Sequence, residues 1–168
     1  MAARINRKLG DFLDHPGRIG PFGGLMDEYA RAADDFCTVV EHVSAREFKA
    51  PRESADPDCR SIQRLCAHVL NSARGYANYL RKVQKMEITA QPTITFDDVR
   101  AFSDIRPMLG EVLRYTEASI GELWNAPDAA IAALSIRVSW GPTLDPELLL
   151  EHAIVHLLRH RRQIERWR

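Results

Sequence analysis

Four stretches of this chain space their apolar residues at intervals of three and four, and that periodicity constrains its folding more than any other feature. In the first, Leu25, Tyr29, Ala33, Phe36, Val40 and Val43 form one stripe, which predicts an amphipathic helix from Leu25 to about Phe48. After a polar loop over 50–58 with Pro51 and Pro57, the residues Ile62, Leu65, Val69, Tyr76, Leu80 and Val83 predict a second helix from about Arg60 to Met86. Pro92 interrupts. Thr95, with Asp98 three residues on, reads as an N-cap for a third helix reaching about Trp124, with a bend at Pro107. Asp145-Pro146-Glu147 opens the last helix, Asp at the cap and Pro at the first helical position.

The segments between these helices are less regular. The first 24 residues carry Gly10, Pro16, Gly17, Gly20, Pro21, Gly23 and Gly24, so residues 1–24 read as an irregular arm, ordered only if it packs on the body. Residues 125–146 form a long crossover, in which Asp128 to Leu134 suits a short helix while Ile136, Val138 and Trp140 alternate as in a strand. Four helices and no persuasive sheet give an all-α chain, a four-helix bundle over residues 25–168 in a single domain.

Composition narrows the function classes. The 23 basic residues balance the 23 acidic ones, leaving no global field for a polyanion, so nucleic acid is not an expected partner. No apolar run is long enough for a membrane span and Met1 to Gly20 has no signal-like segment, which predicts a cytoplasmic protein. Cys37, Cys59 and Cys66 are odd in number and lack paired spacing, which argues for reduced thiols, Cys66 as a small core residue.

His152, His156 and His160 gather half of the chain's six histidines into nine residues. Side chains four apart on a helix are neighbours, so two of these imidazoles can chelate one ion. All three cannot do so comfortably, because positions eight apart lie about 12 Å apart along the axis. A third ligand must come from another helix. His68 falls on the core-facing side of the second helix together with Ser61, Leu65, Ser72, Tyr76 and Tyr79, and a histidine aimed into a bundle opposite a histidine pair is how bundles build metal sites. The plainer alternative is a hydrogen-bonded core histidine at His68 and a solvated basic face at the last helix.

The segment from Arg60 to Val69, Arg-Ser-Ile-Gln-Arg-Leu-Cys-Ala-His-Val, resembles the opening of the second helix in the DinB/YfiT-like superfamily. The segment from His156 to Ile164, with two histidines four apart followed by Arg161 and Gln163, resembles that family's closing motif, although Arg162 stands where many relatives have Gly. The resemblance runs from about Leu25 to the end. It implies a divalent metal ion held by His68, His156 and His160, with His152 outside the ligand set. Zinc or nickel is the first candidate, with iron behind them, since imidazole suits all of them. Gln163 is expected to orient an imidazole, and Tyr76, Tyr79 and His152 to line the pocket. Asp34 and Asp35 read as a solvated helix face.

The resemblance further implies a thiol-dependent S-transferase or isomerase acting on a small electrophile, with a low-molecular-weight thiol such as bacillithiol, mycothiol or glutathione as co-substrate. The alternatives are a hydrolase using metal-bound water and a non-catalytic bundle braced by the ion. Relatives commonly dimerise, and Leu150, Ile154 and Leu158 form an apolar stripe away from the histidine face, so a homodimer is expected.

Overall fold

The computed structural model describes residues 7–168. The helices are α1 (Pro21–Glu41), α2 (Ala45–Lys49), α3 (Ile62–Val83), α4 (Ile105–Ile120), α5 (Asp128–Ala132) and α6 (Pro146–Trp167), with two short strands, β1 (Ile136–Arg137) and β2 (Thr143–Leu144), paired antiparallel. Helix accounts for 65% of the chain and the sheet for two residues per strand, so the fold is all-α. Helix α1 packs along α6 and α4, while α3 packs on α4 and α6. The core between them holds Phe22, Met26, Tyr29, Phe36, Leu65, Leu70, Leu80, Leu109 and Leu149, each at most 2% exposed.

Several boundaries depart from the periodicity. The first helix begins at Pro21, four residues inside the expected arm, and Gly23 is needed there for space: a Cβ would lie 1.7 Å from the Arg18 carbonyl oxygen. It also ends early. Ser44 and Glu47 form a capping box, with the Glu47 N–H donating to Ser44 Oγ at 3.2 Å and the Ser44 N–H to Glu47 Oε2 at 2.8 Å, and this starts α2 as a separate helix.

The expected cap at Thr95 makes its hydrogen bonds but no helix. The Thr95 N–H and hydroxyl donate to Asp98 Oδ2 at 2.7 and 2.8 Å, yet the chain closes only a single turn, the Val99 N–H donating to the Phe96 carbonyl at 3.3 Å, and the Phe96 and Val99 carbonyls accept from Gln63 Nε2 of α3, both at 2.9 Å. Helix α4 starts ten residues later. Pro107 then lies in its first turn, where proline is tolerated. The crossover contains α5 and the β1–β2 hairpin, with Ile136 and Val138 buried and Trp140 carried out to the turn.

The arm is anchored rather than loose from Leu9 onward; residues 1–6 of it lie outside the described residues. Leu9, Phe12 and Leu13 are buried, and the Leu9 N–H donates to both Asp34 carboxylate oxygens at 3.2 Å. The buried Glu117 carboxylate accepts the N–H groups of Asp14 and His15 at 2.5 and 2.8 Å. Arg106, also buried, grips Glu41 through two bonds of 2.8 and 2.9 Å and pairs with Asp34, tying α4 to α1. Asp34 is therefore a structural anchor and not the solvated carboxylate its position suggested.

The stripe Leu150, Ile154 and Leu158 meets the core of its own chain: Leu150 is fully buried and the other two pack on the core. Ile154 and Leu158 each keep part of their surface open to solvent. No helix among the described residues is long and apolar enough to cross a membrane.

The arm's seat on α4 depends on Gly110, where an added Cβ would stand 2.5 Å from the Phe12 ring. Gly110→Ala is expected to lower the thermal midpoint by several degrees, and Phe12→Ala to cost about 3 kcal/mol. Combined, the two should cost clearly less than their sum in denaturant titrations, because the second change removes the clash made by the first. Additive losses would show that Phe12 does not rest on Gly110.

Candidate metal centre

Helices α3 and α6 place the histidines by their starts. Ser61 caps α3 by accepting the Arg64 N–H at 3.1 Å, which sets the register that carries His68 two turns on to the side facing α6. Asp145 caps α6 by accepting the Leu148 N–H at 2.8 Å, with Pro146 behind it. One turn of α6, from His156 to His160, then faces His68.

Three Nε2 atoms converge there. His156 Nε2 stands 3.2 Å from His68 Nε2 and 3.1 Å from His160 Nε2. Tetrahedral coordination at metal–nitrogen distances of 2.0–2.1 Å puts ligand nitrogens about 3.3–3.4 Å apart, so these two separations are close to what one ion requires. Gln163 Oε1 lies 2.9 Å from His160 Nδ1. An amide oxygen only accepts, so the proton sits on Nδ1 and the Nε2 lone pair is left facing the cluster.

Burial keeps His156 and His160 in their neutral, ligating form. His156 is pushed down from 6.5 to about 3, mainly by desolvation and then by His160 and His68 beside it. His160, only 2% exposed, is pushed down to about 4 by burial, partly offset by the bond to Gln163.

Sequence reasoning missed a fourth group. Cys59 is buried in the 3-10 turn Pro57–Cys59 just ahead of α3, and its sulfur and the ligand nitrogens of His68 and His160 all lie within 4.8 Å of one another. This Cys59–His68–His160 group can hold a metal ion. It overlaps the histidine triad, sharing His68 and His160. Two edges of the triad, at 3.2 and 3.1 Å, are close to tetrahedral spacing, and a thiolate in such a site stands about 3.6 Å from its nitrogen co-ligands. Burial, then the Asp56 carboxylate, pushes the Cys59 thiol up to about 12, so without a cation it stays protonated. No helical spacing links Cys59 to His68, and only the fold of the 56–60 turn brings them together.

Above the histidines opens a cavity of about 470 Å³. Its wall includes Tyr76 and Tyr79, and also Trp140, whose alternation with Ile136 and Val138 had suggested a strand. Trp140 stacks on His152 with centroids 5.0 Å apart and planes at 23°, and Tyr76 meets both rings edge-on at 5.5–5.6 Å. His152 therefore belongs to the aromatic wall, its ring 6.3 Å from that of His156, rather than to the converging nitrogens. The Tyr79 hydroxyl accepts the Ser139 N–H at 2.8 Å and holds the hairpin turn that carries Trp140.

No family model, curated protein or solved structure matches the chain.

This geometry sets two outcomes. Elemental analysis of protein purified without added metal should find about one ion per chain, lost in His68→Ala, His156→Ala and His160→Ala but largely kept in His152→Ala. Equal loss in His152→Ala with His160→Ala harmless would move the ion to the other pair on α6. For the metal-free protein the depressed histidines fix the sign of the pH dependence. Their stabilisation is present above about pH 6.5, where the unfolded chain is also neutral, and is lost as pH falls toward 4, because the unfolded state takes up protons the fold refuses. The thermal midpoint should fall between pH 7.5 and 5, and fall less in His156→Gln; an unchanged slope in that variant would assign the acid sensitivity elsewhere.

Proposed function

We propose that the chain is a metal-dependent enzyme of the thiol S-transferase or isomerase kind, acting on a small electrophile, with His68, His156 and His160 holding one divalent ion, zinc or nickel before iron. The observation that carries this reading is the convergence of three imidazole Nε2 atoms beneath an open, aromatic-walled cavity. Three protein ligands leave coordination room for a reactant, the pattern of catalytic rather than closed structural sites. The likeness of the Arg60–Val69 and His156–Ile164 segments to the DinB/YfiT-like superfamily supports it, as do four helices of 16 to 22 residues in the expected order.

A bound divalent cation supplies Lewis acidity, which lowers the pKa of a coordinated thiol so that it reacts as thiolate at neutral pH. The chain does the rest. Gln163 holds the His160 ring in the ligating tautomer, Tyr76, His152 and Trp140 exclude water from one side of the cavity, and the half-open mouth admits a small molecule.

A second reading has its own observation. Cys59 as a fourth ligand would complete a closed set of one thiolate and three imidazoles, and the ion would then brace the turn before α3 against α6 without chemistry.

Cobalt substitution separates the two. In the first reading the cobalt protein is free of sulfur-to-metal charge transfer until glutathione, cysteine or bacillithiol is added, and Cys59→Ser behaves the same. A band present without added thiol and absent in Cys59→Ser would establish the closed site. A spectrum unmoved by every thiol but sensitive to pH would favour hydrolysis.

A further inference from the structure

Beyond the histidines, α6 carries an arginine cluster to which the proposed reaction gives no role. A second cavity, of about 390 Å³, is lined by Arg159, Arg162, Gln163 and Arg166. Arg159 lines both cavities, and Gln163, which binds His160 Nδ1, forms part of the floor of the second. At 100° per residue the three arginines fall within about 60° of one another on α6, on the side next to His152 and His156. The histidine site and the arginines form one continuous surface.

These guanidinium groups lack carboxylate partners. Among the described residues none of the three stands within salt-bridge distance of an acidic group, whereas Arg161 on the same helix pairs with Asp35 at 3.0 Å and Glu165 at 3.5 Å. The helix dipole accounts for cations in the last turn, and so for Arg166. It does not account for Arg159, two turns before the helix end at Trp167. Like charges three and four residues apart weaken a helix, so the cluster is a liability unless something negative occupies it. All three are arginine, whose planar fork bonds a carboxylate or phosphate bidentately. A balanced net charge gives the chain no long-range pull on a polymer, and the concave site suits a small molecule.

Resting on the reading of His68, His156 and His160 as a metal site, we infer that Arg159, Arg162 and Arg166 bind the anionic end of the molecule whose reacting atom enters the histidine cavity. That molecule carries at least two carboxylate or phosphate groups. Their reach is set by α6: the run from His156 to Arg166 covers about 15 Å at 1.5 Å per residue. A thiol of tripeptide size with free carboxylates has that charge and spans about 10 Å extended, and the arginine side chains, which lean toward the start of the helix, cover the remainder. A bare alkyl thiol has neither.

The test compares glutathione with its diethyl ester, which keeps the sulfur and masks both carboxylates, on cobalt-substituted wild type and Arg162→Gln/Arg166→Gln. Inorganic pyrophosphate is titrated by calorimetry into the same proteins as a sulfur-free probe. Glutathione is expected to bind wild type at least about tenfold more tightly than the ester, with the ratio falling to about one in the double variant while metal content and thermal midpoint hold. A ratio equal in both proteins overturns the arginine site and leaves the thiol reading standing. Arginine-dependent pyrophosphate binding with no thiol band keeps the anion site and overturns the thiol reading. Pyrophosphate binding that is indifferent to the substitutions, with no thiol band, removes both. Retention of a duplex oligonucleotide by wild type but not by the variant would overturn the small-molecule occupant.

Discussion

Everything specific about this molecule depends on the seam where one turn of α6 meets α3. Three imidazoles brought together there, with His156 Nε2 within 3.2 Å of both its neighbours and two of the rings largely buried, cannot all be protonated and cannot all satisfy one another, because three facing Nε2 atoms share too few protons and lone pairs. Such a cluster is costly in a bare protein and favourable around a cation. The seam is therefore the one place in the fold where packing alone gives a poor account of the residues present.

Holding that seam together is the task of the helix on the far side. Helix α1 packs along the apolar side of α6, so the histidine side is turned toward α3 and the cavity. It is itself held to α4 by Arg106, whose guanidinium spans Glu41 and Asp34 in a buried setting. Removing Arg106 would leave two carboxylates facing each other without their cation, and removing Asp34 would also release the arm, since Asp34 accepts the Leu9 N–H. The scaffold beneath the site is thus braced on the side away from its opening, as a site requiring positions good to a fraction of an ångström needs.

The site's two flanks differ in character. Toward the hairpin the wall is aromatic, with Trp140, Tyr76 and His152 packed edge and face; toward the end of α6 it is cationic, with Arg159, Arg162 and Arg166. Cys59 lies below, at the turn ahead of α3, near enough to join the donor set if that turn moves inward. An apolar wall on one side and an anion-binding one on the other would orient an asymmetric ligand, its charged end toward the chain terminus.

Local pattern determined the helical class, the helix cap at Asp145, and the facing of His68 toward the His156/His160 pair, because a 3.6-residue period fixes which side chains share a helix face. It also contained signals that a stronger periodicity concealed, such as the Ser44-Ala45-Arg46-Glu47 capping box that splits the first helix. What it could not determine was settled by contacts between distant segments. Thr95 and Asp98 form a sound local cap, yet the turn they close is bound sideways to Gln63 of α3 and does not continue as a helix. The stripe of Leu150, Ile154 and Leu158 meets the core, the last two in part, once α6 is packed in the chain. Cys59 and Trp140 reach the histidines through a turn and a hairpin, which have no period to read. Sequence spacing reports neighbours along one helix; which helix, turn or loop lies opposite is decided by the packing of the whole chain.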